Sequence, residues 1–205
     1  FLYCDAPEII GADFFVMERR RGIVVRRAIP PEFGAGRDPE ANRKLSEVLI
    51  DTLVALHEVE PEEAGLGDLG KPDGFLRRQV EGWASRFERS KTSEIEIANE
   101  LREWLLASLP ASPAATLLHN DWKLDNMAVA PDDPGRCVAV YDWDMCTRGD
   151  PLCDLGSLMT SWHDAEDSVL AMPTTSSGFL RRAEGIARYG ERSGRSLDEL
   201  AYYLV

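Results

Sequence analysis

A chain of 205 residues, 44% hydrophobic and 29% charged, is long enough for one domain with a sizeable core and too apolar to remain disordered. Its net charge of −13 argues against a general surface for nucleic acid or anionic membrane. No run approaches the ~18–20 apolar residues of a membrane span, and no signal peptide or basic presequence is visible. Cys4, Cys137, Cys146 and Cys153 form no Cys-x-x-Cys pair. They sit in or beside apolar runs, as reduced, buried thiols of a cytoplasmic protein do.

The chain opens at Phe1 inside an apolar run and closes at Ala201–Val205 inside a predicted helix, so both ends read as cut and a fragment of a longer protein is expected. Residues 13–18 and 22–26 read as short strands around a charged, glycine-containing connection, and residues 27–38, with Pro30-Pro31 and Gly34-x-Gly36, as a loop. Asp38 or Pro39 then opens a helix to about His57, with Leu45, Val48, Leu49, Leu53 and Leu56 on one face. After a Gly/Pro/Glu-rich connection, helices are predicted over 73–89 and 93–109, the second with Ile97, Leu101, Trp104, Leu105 and Leu109 along one side. The character changes at Ala115. Strands are predicted at 116–118, 127–130 and 138–141, the last two joined by a turn at 131–135, and helices resume over 151–162, 178–190 and 196–205. The fold class is therefore α+β, predominantly helical, with a small β insertion.

The polar constellation hangs on that insertion. His119-Asn120-Asp121-Trp122-Lys123-Leu124-Asp125-Asn126 sets a carboxylate two residues after a histidine and a carboxamide five residues further on, and the next apolar strand ends in Tyr141-Asp142-Trp143-Asp144. Phosphoryl transfer asks for an oriented acceptor hydroxyl and for neutralised phosphate charge. Asp121 has the place of a base that accepts the hydroxyl proton. Asn126 and Asp142 have the places of Mg²⁺ ligands, one neutral and one anionic, which suits an ion that keeps waters and phosphate oxygens. Lys123 can point its ammonium at a phosphate. His119 reads as a brace whose ring bonds backbone or a buried carboxylate, Asp154 being the candidate carboxylate. Asp125 reads as solvated or loop-bonding, Asp144 as a metal ligand or, by preference, a loop cap, and Asp150 before Pro151 as a helix N-cap. His57 and His163 read as structural or surface residues. In 164–168, Asp164, Glu166 and Asp167 form either a solvated face or a contact for a cationic substrate.

These residues carry a family resemblance. The run 118–156 resembles the catalytic loop and metal-binding segment of the aminoglycoside phosphotransferase and choline kinase-like family, whose members usually show His-Gly-Asp-x4-Asn, a strand ending Asp-Trp-Glu, and Gly-Asp-Pro-x-x-Asp-Leu. Asn120 stands here for the usual glycine and Asp144 for the usual glutamate. Asp13–Glu18 resembles the strand and hinge that touch adenine through backbone groups, which places Met17 and Glu18 at the nucleotide. Leu53–His57 resembles the family's helix ending in Leu-His. Val80–Trp83 through Arg89–Thr92 is most similar to the branch related to acyl-CoA dehydrogenase fusion proteins. The resemblance implies a protein-kinase-like fold with the end of a truncated small lobe at 1–26 and a large lobe at 27–205. It also implies ATP as phosphate donor and a small molecule bearing a hydroxyl as acceptor: a hydroxyacyl-CoA or hydroxy acid, or else an aminoglycoside or other amino alcohol. The phosphate-covering loop, strand lysine and helix glutamate of such a small lobe are not in the sequence, so the 205 residues alone are expected to be inactive. The alternative is a catalytically silent domain of the same shape.

Overall fold

The computed structural model describes residues 2–164 and 172–205; Glu166 and Asp167 of the charged segment lie outside them. Asp38 starts the longest helix, α1 (Pro39–His57). Its carboxylate accepts the N–H groups of Glu40 and Ala41 at 3.0 and 3.2 Å, and Pro39 fills a position whose N–H would have no helical partner. Leu45, Leu49, Ile50 and Leu53 recur at helical spacing and are fully buried. Around them gather Val25, Met127, Leu155, Trp162 and Tyr189, so α1 is the axis of the main core.

The strands are short: β1 (Leu2–Cys4), β2 (Phe14–Val16), β3 (Ile23–Val24), β4 (Thr116–Leu118), β5 (Met127–Ala130), β6 (Asp133–Val140) and β7 (Thr147–Gly149). Among the described residues they form three antiparallel sheets, β1–β2, β3–β5–β6 and β4–β7. The two strands expected near the start do not pair with each other. β2 joins β1, whereas β3 lies against Ala128 and Val129 of β5. Gly22 permits this: a Cβ there would stand 2.6 Å from a Val138 methyl and 2.9 Å from the Ala128 Cβ. β6 begins five residues earlier than expected and ends at Val140, its register shifted twice against β5.

The remaining helices are α2 (Phe75–Ser90), α3 (Glu96–Ala107), α4 (Leu152–Thr160) and α5 (Arg182–Ser193). The apolar side foreseen for α3 exists but is not buried: no residue of α3 is buried, and Ile97, Leu101 and Trp104 are exposed. With α2, α4 and Tyr202–Val205 this side lines an apolar cavity of about 680 Å³. The predicted loop 27–38 contains a 3-10 turn at Pro31–Gly36, and the last predicted helix contracts to a 3-10 turn at Leu200–Leu204. No described helix is long and apolar enough to cross a membrane. All four cysteines are free and half-buried rather than buried.

Candidate active site

β4 is buried along its length and pairs with β7, Leu118 against Thr147; it delivers the chain into the loop 119–126. His119 is fully buried. Its Nδ1 accepts the Asp121 N–H at 3.3 Å, so Nε2 carries the proton and donates to the Tyr141 carbonyl at 2.8 Å. The imidazole thus ties the start of the loop to the end of β6. The expected partnership with Asp154 takes another form: the carboxylate meets the loop's backbone, not the ring. Asp154 Oδ2 accepts His119 N–H and Oδ1 accepts Asn120 N–H, both at 2.7 Å. Asp154 is fully buried on α4, where polar oxygens cut off from water need hydrogen-bond partners.

Asn120 occupies the left-handed region at φ 63°, and its Nδ2 donates to the Met145 carbonyl at 2.8 Å. Trp122 is buried edge-on to His119 and donates its indole N–H to the Leu49 carbonyl of α1 at 3.0 Å. The loop is therefore pinned to β6, α4, the turn after β6, and α1.

The polar side chains converge on Asp121. Lys123 Nζ lies 2.8 and 2.7 Å from its two carboxylate oxygens, and Asn126 Nδ2 donates to Asp121 Oδ2 at 2.9 Å and to its backbone carbonyl at 2.8 Å. With its nitrogen committed, Asn126 has an Oδ1 with no hydrogen-bond partner among the described residues. The Asn126 carbonyl accepts the Tyr141 N–H at 2.8 Å, which brings Asp142, the next residue, to the same end of the β5–β6 pair. Asp142 is itself left-handed, φ 64°, and exposed, as are Asp125 and Asp144. Met17 and Glu18 follow β2, in a sheet separate from the loop's; both are exposed, and Glu18 pairs with Arg20 at 2.8 Å. Asp150 accepts the Leu152 N–H at 3.0 Å and the Tyr203 hydroxyl at 2.7 Å; the N-cap position of α4 falls on Pro151, one residue later than expected, and Asp150 bonds the first helical N–H from before it.

A second cavity, about 590 Å³, opens beside the loop, lined by Phe75, Gln79, Trp83, Arg86, Asn120 and Met145 among others. It shares Gln79, Trp83, Cys153 and Ser157 with the apolar cavity, so the two form one groove. The Arg86 guanidinium sits 4.7 Å over the Trp83 ring. The sequence reading missed this wall. An exposed Trp and an Arg three residues apart on α2 were the available signal.

The model of the phosphotransferase enzyme family APH matches residues 1–198. The chain belongs to this family. Among curated relatives, acyl-CoA dehydrogenase family member 11 of Gallus gallus is 36% identical over 155 residues, 75% of this chain and 19% of that protein. Family member 11 of Homo sapiens is 32% identical over 164 residues, 78% of this chain and 20% of that protein. The chain thus spans about a fifth of the curated relatives it matches. Among solved structures, a candidate aminoglycoside phosphotransferase of Ralstonia eutropha superposes with a TM-score of 0.87 at 29% identity, covering all of this chain and 62% of that one. An aminoglycoside-3'-phosphotransferase of type VIII shares the fold, with a TM-score of 0.60 at 18% identity over 90% of this chain and 63% of that one. The fold is accordingly that of the kinase-like phosphotransferases, with mixed helices and sheets, and the APH family supports a small-molecule kinase.

Proposed function

We propose that the protein to which this chain belongs transfers the γ-phosphoryl group of ATP to the hydroxyl of a small acceptor with an apolar or acyl body, a hydroxyacyl-CoA or hydroxy acid before an amino alcohol. The observation that carries this reading is the cluster of Asp121, Lys123 and Asn126 at the Tyr141-Asp142 end of β6. Asp121, about a third exposed, orients the acceptor hydroxyl and takes its proton as the oxygen attacks the γ-phosphorus and the bond to the ADP oxygen breaks. Lys123 shares its ammonium between Asp121 and the transferred phosphate. Asn126 and Asp142 would hold Mg²⁺. The free Asn126 Oδ1 and one carboxylate fit an ion that takes its other ligands from phosphates and water, and the described residues contain no group of three or more His, Cys, Asp or Glu that would make a cage of its own. Mg²⁺ there supplies neutralisation of the phosphate charge. Met17 and Glu18 supply backbone contacts to adenine. His119 and Asp154 hold the loop in shape.

The groove favours the acyl class. Among the described residues the cavity beside Asn120 is lined by one arginine and no carboxylate, and it continues into an apolar cavity whose lining holds one carboxylate, Glu88. A polycationic acceptor would meet the Arg86 charge beside the loop, whereas an acyl chain would bury against Trp83, Phe87 and Leu76. A related fold holds ADP and streptomycin, which supports the nucleotide donor and not the acyl class; the acyl class draws its support from relatives that carry acyl-CoA dehydrogenase names.

The test is Mg²⁺-dependent ATP consumption by the full-length protein against hydroxyacyl-CoAs, hydroxy acids and amino alcohols, beside Asp121→Asn. Turnover with an acyl acceptor, cut by about 10²–10⁴-fold in the variant while nucleotide binding persists, is the expected result. Unchanged turnover removes Asp121 as base; turnover confined to amino alcohols overturns the acceptor class; none with any acceptor favours the silent domain.

A further inference from the structure

Behind Asp154 lies a buried polar chain that reaches away from the loop. His57, at the end of α1, is 2% exposed, and Tyr189, on α5, is fully buried. The Tyr189 hydroxyl lies 2.8 Å from His57 Nδ1, and His57 Nε2 lies 3.3 Å from Asp154 Oδ2, the oxygen that also accepts the His119 N–H. Protons can be placed on this chain in one neutral way. A carboxylate only accepts, so His57 Nε2 must carry hydrogen; Nδ1 is then an acceptor, and Tyr189 must donate. Arg195 donates to the His57 carbonyl at 2.8 Å and holds that end of α1 from the outside. Burial also favours the neutral phenol: the Tyr189 hydroxyl is pushed well above its ordinary value.

We propose that Tyr189 is a positioning residue for the catalytic loop: its hydroxyl fixes the tautomer and orientation of His57, and His57 in turn holds Asp154 where both its oxygens meet the His119 and Asn120 amides. This rests on the reading of Asp121 as base only for its kinetic consequence; the structural link stands apart from it. Removing the hydroxyl leaves Nδ1 a buried acceptor without a donor. The ring can then turn, and that change draws the Asp154 carboxylate off the loop. A residue on a helix outside the loop thereby sets the geometry of Asp121.

The experiment compares wild type with Tyr189→Phe in the intact protein. Imidazole nitrogen NMR reports the His57 tautomer, and amide hydrogen exchange is followed at His119 and Asn120 against Leu45 and Leu49 in α1. In wild type His57 is the Nε2–H form. In the variant its nitrogen shifts change, and protection at His119 and Asn120 falls by about three- to tenfold, the equivalent of one neutral hydrogen bond, while α1 is unaffected. Where turnover is measurable, kcat falls and the KM for nucleotide holds. His57→Gln, whose amide can donate to Asp154 and accept from Tyr189, retains more of this protection than His57→Leu. Unchanged protection at the two loop amides, or uniform loss across loop and α1 alike, overturns the proposal. Absence of turnover with any acceptor while the amide effects appear counts against the kinase reading alone.

Discussion

Asn120 illustrates how much one residue settles. At φ 63° any side chain but Gly, Asn or Asp is strained by roughly 1–2 kcal/mol, and Asn120 offsets its share with the bond to Met145. Asn120→Ala is expected to lower stability by about 1–3 kcal/mol, strain and lost bond together. Asn120→Gly, which relieves strain while losing the bond, should stay within about 1 kcal/mol of wild type. Urea unfolding of both variants checks this; equal losses would show that the left-handed backbone is not the cause. The replacement of the family's glycine was legible in the sequence, and so was asparagine's tolerance of that conformation. The Met145 contact was not, because 25 residues separate the partners.

At the scale of elements, local signals worked where local chemistry decides. Asp38-Pro39 announces α1, and the bonds to Glu40 and Ala41 are the reason. Asp38→Ala should cost about 1 kcal/mol, read as a lower urea midpoint with an unchanged m-value; a changed m-value would point instead to altered compactness. Local signals failed where a partner decides. The strands at Phe14–Val16 and Ile23–Val24 are legible as strands, but their partners are not: their hydrogen bonds go to β1 and β5. The apolar stripe of α3 is legible in the sequence, but that it faces the groove is not. Gly149 shows why such placements are hard to foresee: a Cβ there would stand 2.7 Å from the Phe75 ring, so this glycine lets β7 press on α2.

Across the whole molecule, the resolved proton affinities shift one way. Burial pushes the Cys153 thiol and the Tyr189 and Tyr203 hydroxyls upward; the charges of Asp150 and Asp154 add to it at Cys153, and the bond to Asp150 adds to it at Tyr203. The folded state thus holds these protons more tightly than the unfolded chain does. Their contribution is fully present below the ordinary thiol value of 9.0 and phenol value of 10.0. It is lost as pH rises beyond them, because the unfolded chain ionises first. The urea midpoint should therefore fall steadily from pH 9 to pH 11, and a flat profile would refute the assignment. Cys153, although it lines the groove, should react with iodoacetamide more slowly at pH 8 than an unstructured thiol, because the thiolate is the nucleophile.

The sequence alone determined which polar residues share the loop: His119, Asp121, Lys123 and Asn126 lie within eight residues, and their spacing is set by a short stretch of chain. It also determined α1 and the family, since both rest on contiguous patterns. Only the tertiary structure decided that Asp154 grips the loop's backbone and not the His119 ring. Tertiary structure likewise decided that His57 and Tyr189 stand behind Asp154, and that α2 and α3 leave an apolar groove open beside Asn120. The bonds of Asp154 and His57 join residues 34 to 132 positions apart in the chain, and side-chain bonds at that separation follow from how helices pack, which no local periodicity records.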